Sequence, residues 1–223
     1  MFGGSRMATV FLTGGTGYMG RQLIPELLQR GYAVRALVRR GSEGKLPAGC
    51  EVVVGDALDG ATYAAKVQGC SVFVHLVGVA HPSPAKGKAF REIDLVSAKA
   101  AIAAAKQASV EHFVYLSIAQ PAPIMKTYLE VRAEGEKMLS ESGMNATFLR
   151  PWYVLGPGHR WPYTLIPLYW VFSKIPATRA GANRLGLVTL GQMTQALVRA
   201  VTSPAQGIRV VEVPSIRVQS NHD

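Results

Sequence analysis

Cysteine is nearly missing: Cys50 and Cys70 are the only two in 223 residues. Two cysteines at neither a metal-ligand nor a redox spacing build no disulfide framework, which favours a reducing compartment. Long apolar runs are missing as well. The longest candidate, WPYTLIPLYWVF (161–172), carries Pro162 and Pro167 and is too short to cross a bilayer, so no transmembrane helix is expected. The start, MFGGSRMATVFLTGG, lacks a charged region followed by a long apolar core and a small-residue cleavage site, so no secretory signal is expected. Acidic residues are scarce: 14 Asp and Glu stand against 24 Lys and Arg, a formal net charge of +10. That balance favours anionic partners, namely a phosphorylated cofactor, a membrane surface or a nucleic acid. The bases are scattered with no Lys/Arg run, so nucleic acid is the weakest of the three. His75 and His81 form no metal-ligand pattern, and no metal is expected.

What is present suits a buried core. Hydrophobic residues make up 48% of the chain and charged ones 17%, consistent with one domain or a domain with a small appendage. ATVFLTGG (8–15) reads as a buried strand entering a glycine turn, YMGRQLIPELLQRG (18–31) as the amphipathic helix after it, and AVRALVRR (33–40) as the next strand. The alternation continues with strands at 50–56, 71–77, 112–117 and 145–150. Helices are expected near 60–67, near 90–108 and around Tyr128. Short apolar strands separated by helices predict an α/β protein: a Rossmann-type doubly wound parallel sheet covered on both faces. After RPWYVLGPG (150–158) the rhythm breaks, with a strand expected at 185–188, a helix at 190–202 and a last strand at 208–213. The expected organisation is a leader over 1–6, a dinucleotide-binding domain over 7–156, a small substrate-side or lid region over 157–213, and a polar, frayed tail over 214–223.

TGGTGYMG (13–20) is the most informative stretch. Its glycines follow an apolar strand and open a helix, the context in which such a loop lets backbone N–H groups approach a pyrophosphate. Gly14, Gly15, Thr16, Gly17, Tyr18 and Met19 are therefore candidate cofactor residues, with a plain strand-to-helix turn as the alternative. Where NAD-binding sheets usually carry an acid at the end of the second strand, LVRRG places Arg39 and Arg40. Guanidinium groups bind a 2′-phosphate in bidentate fashion where a carboxylate would repel it, so NADP(H) is expected in preference to NAD(H). Two solvated surface arginines are the bland alternative.

Taken together, TGGTGYMG, VVGDALD (53–59), HLVGVA (75–80), Tyr128-x-x-x-Arg132 and LRPWYVLGPG (149–158) resemble the short-chain dehydrogenase/reductase superfamily. The closest match is to its extended and atypical branches, which include proteins similar to the nucleotide-binding accessory subunit of respiratory complex I and NmrA-like regulators. The resemblance implies that Asp56, with Ala57 and Leu58 beside it, meets the adenine. It also implies that Val77, Gly78 and Val79 line the ribose, and that Pro151, Trp152, Tyr153 and Val154 fold over the nicotinamide. In active relatives the tyrosine is a general acid/base and a lysine four residues on lowers its pKa and passes protons. Here Arg132 stands in the lysine's place; it can supply the positive field beside Tyr128 but not readily exchange a proton. Relatives commonly end the fifth strand in two hydroxyl residues, whereas Ser117 is followed here by Ile118. Two outcomes stay open: an NADPH-dependent oxidoreductase using Tyr128, Arg132 and Ser117 on an apolar carbonyl or quinone, and a non-catalytic dinucleotide-binding sensor or assembly factor. The expected partners are a dinucleotide and a small apolar substrate, with a membrane surface or a protein as further candidates. Both a monomer and a homodimer remain open. The expected location is the cytoplasm or the periphery of the inner membrane. Asp94 and Glu92 read as ordinary polar positions on the long helix. The aromatics of 161–176 suit a pocket wall, a dimer face or a membrane contact.

Overall fold

The computed structural model describes residues 8–157 and 184–218. The leader over 1–6 and the aromatic stretch over 161–176 lie outside these residues. Nine strands occur among those described: β1 (Thr9–Thr13), β2 (Ala33–Val38), β3 (Glu51–Val54), β4 (Val72–His75), β5 (His112–Leu116), β6 (Asn145–Arg150), β7 (Tyr153–Leu155), β8 (Leu187–Thr189) and β9 (Ile208–Glu212). The helices that matter are α1 (Gly20–Gln29), α2 (Ala64–Val67), α3 (Val96–Gln107), α4 (Lys126–Glu141), α5 (Leu190–Thr202) and α6 (Val213–Arg217).

Seven strands form one sheet in the order β3-β2-β1-β4-β5-β6-β9, and each neighbouring pair is parallel. This is the doubly wound Rossmann arrangement. The unbroken apolar run of β1 follows from burial on both faces. Val10 and Leu12 enter one core with Leu23 and Leu27 of α1 and Leu197 of α5. Phe11 enters the other, where the Phe73 and Phe113 rings stack at 5.0 Å beneath Ala98, Ala101 and Ala105 of α3. An alanine-lined helix face can sit close above such rings without displacing them.

Strand order reverses between β1 and β4, which creates the crevice in which open α/β sheets bind ligands. Helix α5 starts at a capping box. Gln192 N donates to Thr189 Oγ1 at 3.2 Å, and Thr189 N donates to Gln192 Oε1 at 2.9 Å.

Four features depart from the expectations. The helix expected near 90–108 opens with a π-helical turn over Phe90–Leu95. The residues expected to fray after 213 instead form α6 up to Arg217, because Val213 and Ile216 are fully buried on the α5 side of the sheet. The break after β6 holds the short strand β7, paired in parallel with β8. Finally, among the described residues the edge strands carry exposed apolar side chains, Val52 and Val54 of β3 and Ile208 and Val210 of β9, because the helices pack over the central strands. Among the described residues no helix is long and apolar enough to cross a membrane.

Candidate functional site

At the end of β1 the chain turns on glycines because side chains do not fit. Gly14 has φ +80°, and a Cβ there would lie 2.9 Å from the Leu76 carbonyl carbon. A Cβ on Gly20 would collide with the Gly14 carbonyl oxygen and the Gly15 Cα. Gly17 N donates to Gly14 O at 3.0 Å and closes the turn. The result is a bare backbone cradle opening into α1, the form that a pyrophosphate-binding loop requires.

This loop borders a cleft of about 590 Å³ at the C-terminal ends of β1, β4 and β5. Gly14, Gly17, Tyr18 and Met19 line it from the loop. Gly78 and Val79 line it after β4, and Ser117 after β5. Tyr128 and Arg132 reach it from α4, and Pro151, Trp152, Tyr153 and Val154 close it after β6. Most of the residues singled out from sequence thus converge on one place.

Eight do not line the cleft. Gly15 packs beneath the loop, where a Cβ would meet Leu46, Ile24 and Ala36 side chains; Thr16 sits in the turn itself. Val77 contributes its carbonyl to Arg132 and not a wall. Arg39 and Arg40 are exposed just past β2. Asp56, Ala57 and Leu58 follow β3, and the Asp56 Oδ1 accepts from Leu58 N at 2.9 Å in a local turn. The cap of the next short helix is Asp59, whose carboxylate accepts from Ala61 N. Sequence reasoning missed the walls given by Pro82, Ile124 and Met125, which carry no chemical signature.

The electrostatic centre beside Tyr128 corrects the sequence reading of Asp94. Asp94 is fully buried, and its Oδ1 accepts from Arg132 Nη2 at 2.7 Å while its Oδ2 accepts from Val79 N at 3.0 Å. Arg132 is 1% exposed, and it also donates to Leu116 O at 2.9 Å and Val77 O at 3.3 Å. Its guanidinium carbon lies 5.2 Å from the Tyr128 ring centroid and 5.8 Å from that of Tyr115, close enough for cation–π attraction. Burial raises the Asp94 carboxyl, while the Arg132 charge, the Val79 N–H and the Arg132 hydrogen bond draw it back. The Tyr115 hydroxyl occupies the space that Gly135 leaves by lacking a Cβ.

Below this pair, His75 is fully buried; its ring nitrogens meet Thr13 Oγ1 at 2.9 Å and Ser97 Oγ at 3.4 Å. Burial, helped by the Arg132 charge, pushes the imidazole down to about 3, so it is neutral at physiological pH. Ser117 is 3% exposed, and its Oγ has no hydrogen-bond partner among the described residues. The arginine of the arginine-proline signature has a structural task. Arg150 donates from Nε to Glu136 Oε1 at 2.9 Å and from Nη1 to Glu212 Oε1 at 3.0 Å, joining α4 to β6 and β9.

Fold and cleft together define an NAD(P)-binding protein of the Rossmann type. The glycine cradle, which a Cβ would fill, fits the diphosphate of a nicotinamide dinucleotide. A family model described as NAD(P)H-binding matches residues 14–162, and the chain belongs to that family. It is 27% identical over 210 residues to a ceramide reductase of Caulobacter vibrioides, a match covering 93% of this chain and 65% of that protein. It is 29% identical over 145 residues to the photosystem II assembly factor Ycf39 of Cyanophora paradoxa, covering 64% of this chain and 44% of that protein. The chain thus spans less than two thirds of either relative. The crystal structure of the Bordetella bronchiseptica enzyme WbmH in complex with NAD+ shares the fold at a TM-score of 0.69 and 22% identity, covering 92% of this chain and 76% of that one.

Proposed function

We propose that the protein is a reductase that uses NADPH to reduce a carbonyl or quinone-type compound of low polarity. The observation that carries this reading is Ser117: its buried hydroxyl has no partner among the described residues and lines the same cleft as Tyr128. A buried hydroxyl left unpaired costs about 1–3 kcal/mol, and a substrate oxygen would supply the missing partner. The Gly14–Gly20 loop, the Val77–Val79 turn and the Pro151–Val154 segment would hold the dinucleotide, and Asp56 would meet its adenine. NADPH bound there would supply the hydride. Tyr128 would give its phenolic proton to the substrate oxygen while Ser117 donates a hydrogen bond to the same atom. Tyr128, which is half-buried, recovers its proton from solvent, because the neighbouring Arg132 guanidinium does not release one.

Ile118, Ile124, Met125 and Pro82 make the walls apolar, which supports a substrate of low polarity. The similarity to a ceramide reductase agrees with a reductase reading. Arg39 and Arg40, exposed beyond β2, favour NADPH through its 2′-phosphate. The free cysteines Cys50 and Cys70 agree with a cytoplasmic location. NADPH oxidation against a panel of apolar carbonyls and quinones tests the reading. Tyr128→Phe is expected to lower the rate at least about tenfold, below the usual size of a general-acid contribution; an unchanged rate removes Tyr128 from the reaction.

A second reading, a non-catalytic dinucleotide-loaded sensor or assembly factor, is favoured by the engagement of Arg132 with Asp94 and by Ile118 beside Ser117. The similarity to Ycf39 points the same way. Tight dinucleotide binding with no turnover on the whole panel would select it.

A further inference from the structure

We propose that Asp94 is a positioning residue. One buried carboxylate locks the Val77–Val79 turn and the Tyr128–Arg132 face of α4 into a single unit, so that holding the dinucleotide and placing Tyr128 depend on the same contact. The proposal rests on the dinucleotide reading above and adds to it a residue that the sequence pattern did not single out.

Three observations carry it. First, the two oxygens of Asp94 are divided between the two parts: Oδ1 takes Arg132 of α4 at 2.7 Å, and Oδ2 takes the Val79 amide of the turn at 3.0 Å. Arg132 closes the ring by donating to Val77 O at 3.3 Å, so turn, carboxylate and guanidinium form one cycle of charge-assisted hydrogen bonds. Second, the π-helical turn Phe90–Leu95 delivers two residues to α4 together. Phe90 lays its ring on Tyr128 at a centroid distance of 4.7 Å, and Asp94 takes Arg132. The wider helical turn thereby grips both members of the Tyr-x-x-x-Arg pair, and such single π turns recur at functional sites. Third, the turn fits the guanidinium only as glycine. A Cβ on Gly78 would run into Arg132 Nη2 and come within 3.1 Å of Asp94 Oδ1. Gly78 lines the cleft, so a displacement of the guanidinium is felt at the wall where the ribose is expected.

The charges must be kept or removed together. A buried guanidinium without its carboxylate is an uncompensated ion, whereas a neutral pair of similar shape leaves none. The test combines isothermal titration with NADPH and NADH and amide hydrogen exchange of the protein without ligand, on wild type, Asp94→Asn, Arg132→Gln and the double variant. Each single change is expected to weaken dinucleotide binding at least about tenfold, and the double to be no weaker than the worse single, as expected of directly coupled residues. Asp94→Asn should speed exchange at Val79 and in the first turns of α4 by a larger factor than at the amides of β1 and β4, which report only the global stability lost with the pair.

Losses that multiply in the double variant, or exchange at Val79 that stays at the wild-type rate, would overturn the proposal. So would exchange that rises by the same factor at Val79 as across the whole sheet, which marks a merely structural role. If Asp94→Asn does not fold, Gly78→Ala replaces it. That change leaves both charges in place, and it should weaken binding about tenfold with the sheet still protected; unchanged binding overturns the proposal. A wild-type protein that binds neither nucleotide would refute the dinucleotide reading instead, and the exchange measurement, which needs no ligand, would still decide the role of Asp94.

Discussion

The two walls of the cleft are made of opposite materials. The glycine wall is a continuous piece of chain, Gly14 to Gly20, and it works by the absence of side chains: Cβ atoms at Gly14 and Gly20 would strike backbone. The α4 wall is assembled from separated segments that carry Asp94, Tyr115, Ser117, Tyr128 and Arg132, and it works by buried charge and aromatic contact. A backbone cradle needs only the right local turn. A buried ion pair needs every partner at once, since either charge alone is strongly unfavourable in the interior. The first wall tolerates distant change and the second transmits it.

Breaking the second wall should have the largest effect. Asp94→Ala strands the Arg132 guanidinium and is expected to cost about 3–5 kcal/mol of stability, read as a lowered midpoint in urea with an unchanged slope. A midpoint equal to that of wild type would mean that the pair is not buried as described. Gly14→Val acts on the first wall. The added side chain meets the Leu76 carbonyl at a positive φ, and about a hundredfold loss of dinucleotide affinity is expected, equivalent to roughly 2.7 kcal/mol. Retained affinity in a titration would show that the cradle is not the binding loop.

The smallest effect sharpens the contrast, because it concerns a group that lies beneath the α4 wall and does not touch the cleft. His75 falls from an ordinary 6.5 to about 3 on burial. Between those values the unfolded chain binds more protons than the folded one, so stability is full above about pH 6.5 and declines as pH falls towards 3. His112, pushed down by burial and then by Arg209 to about 4, adds a decline of the same sign. Thermal midpoints measured between about pH 7 and pH 5 should fall, and His75→Asn should flatten part of that slope; an unaltered slope would mean that His75 takes up no extra proton on unfolding.

The difference between the walls also explains what could be read from the sequence. The strand, glycine turn and helix over β1 and α1 are local, and apolar periodicity with glycine spacing marks them directly. Tyr128 and Arg132 announce themselves by helical spacing. Asp94 does not: on a regular helix it is one polar residue among several, and its burial follows from the π turn and from an arginine 38 positions away. The same holds for α6, where Val213 and Ile216 show helical spacing but only the α5 side of the sheet makes their burial worthwhile. Strand β7 is three residues long and exists through its pairing with β8, far along the chain.

The most direct test of the account is a calorimetric titration with NADPH and with NADH of wild type and of the Arg39→Ala/Arg40→Ala double variant. The account predicts that wild type binds both, NADPH more tightly, and that the double variant loses that preference, a difference of about tenfold for a guanidinium–phosphate contact. Failure of the wild-type protein to bind either nucleotide would contradict it.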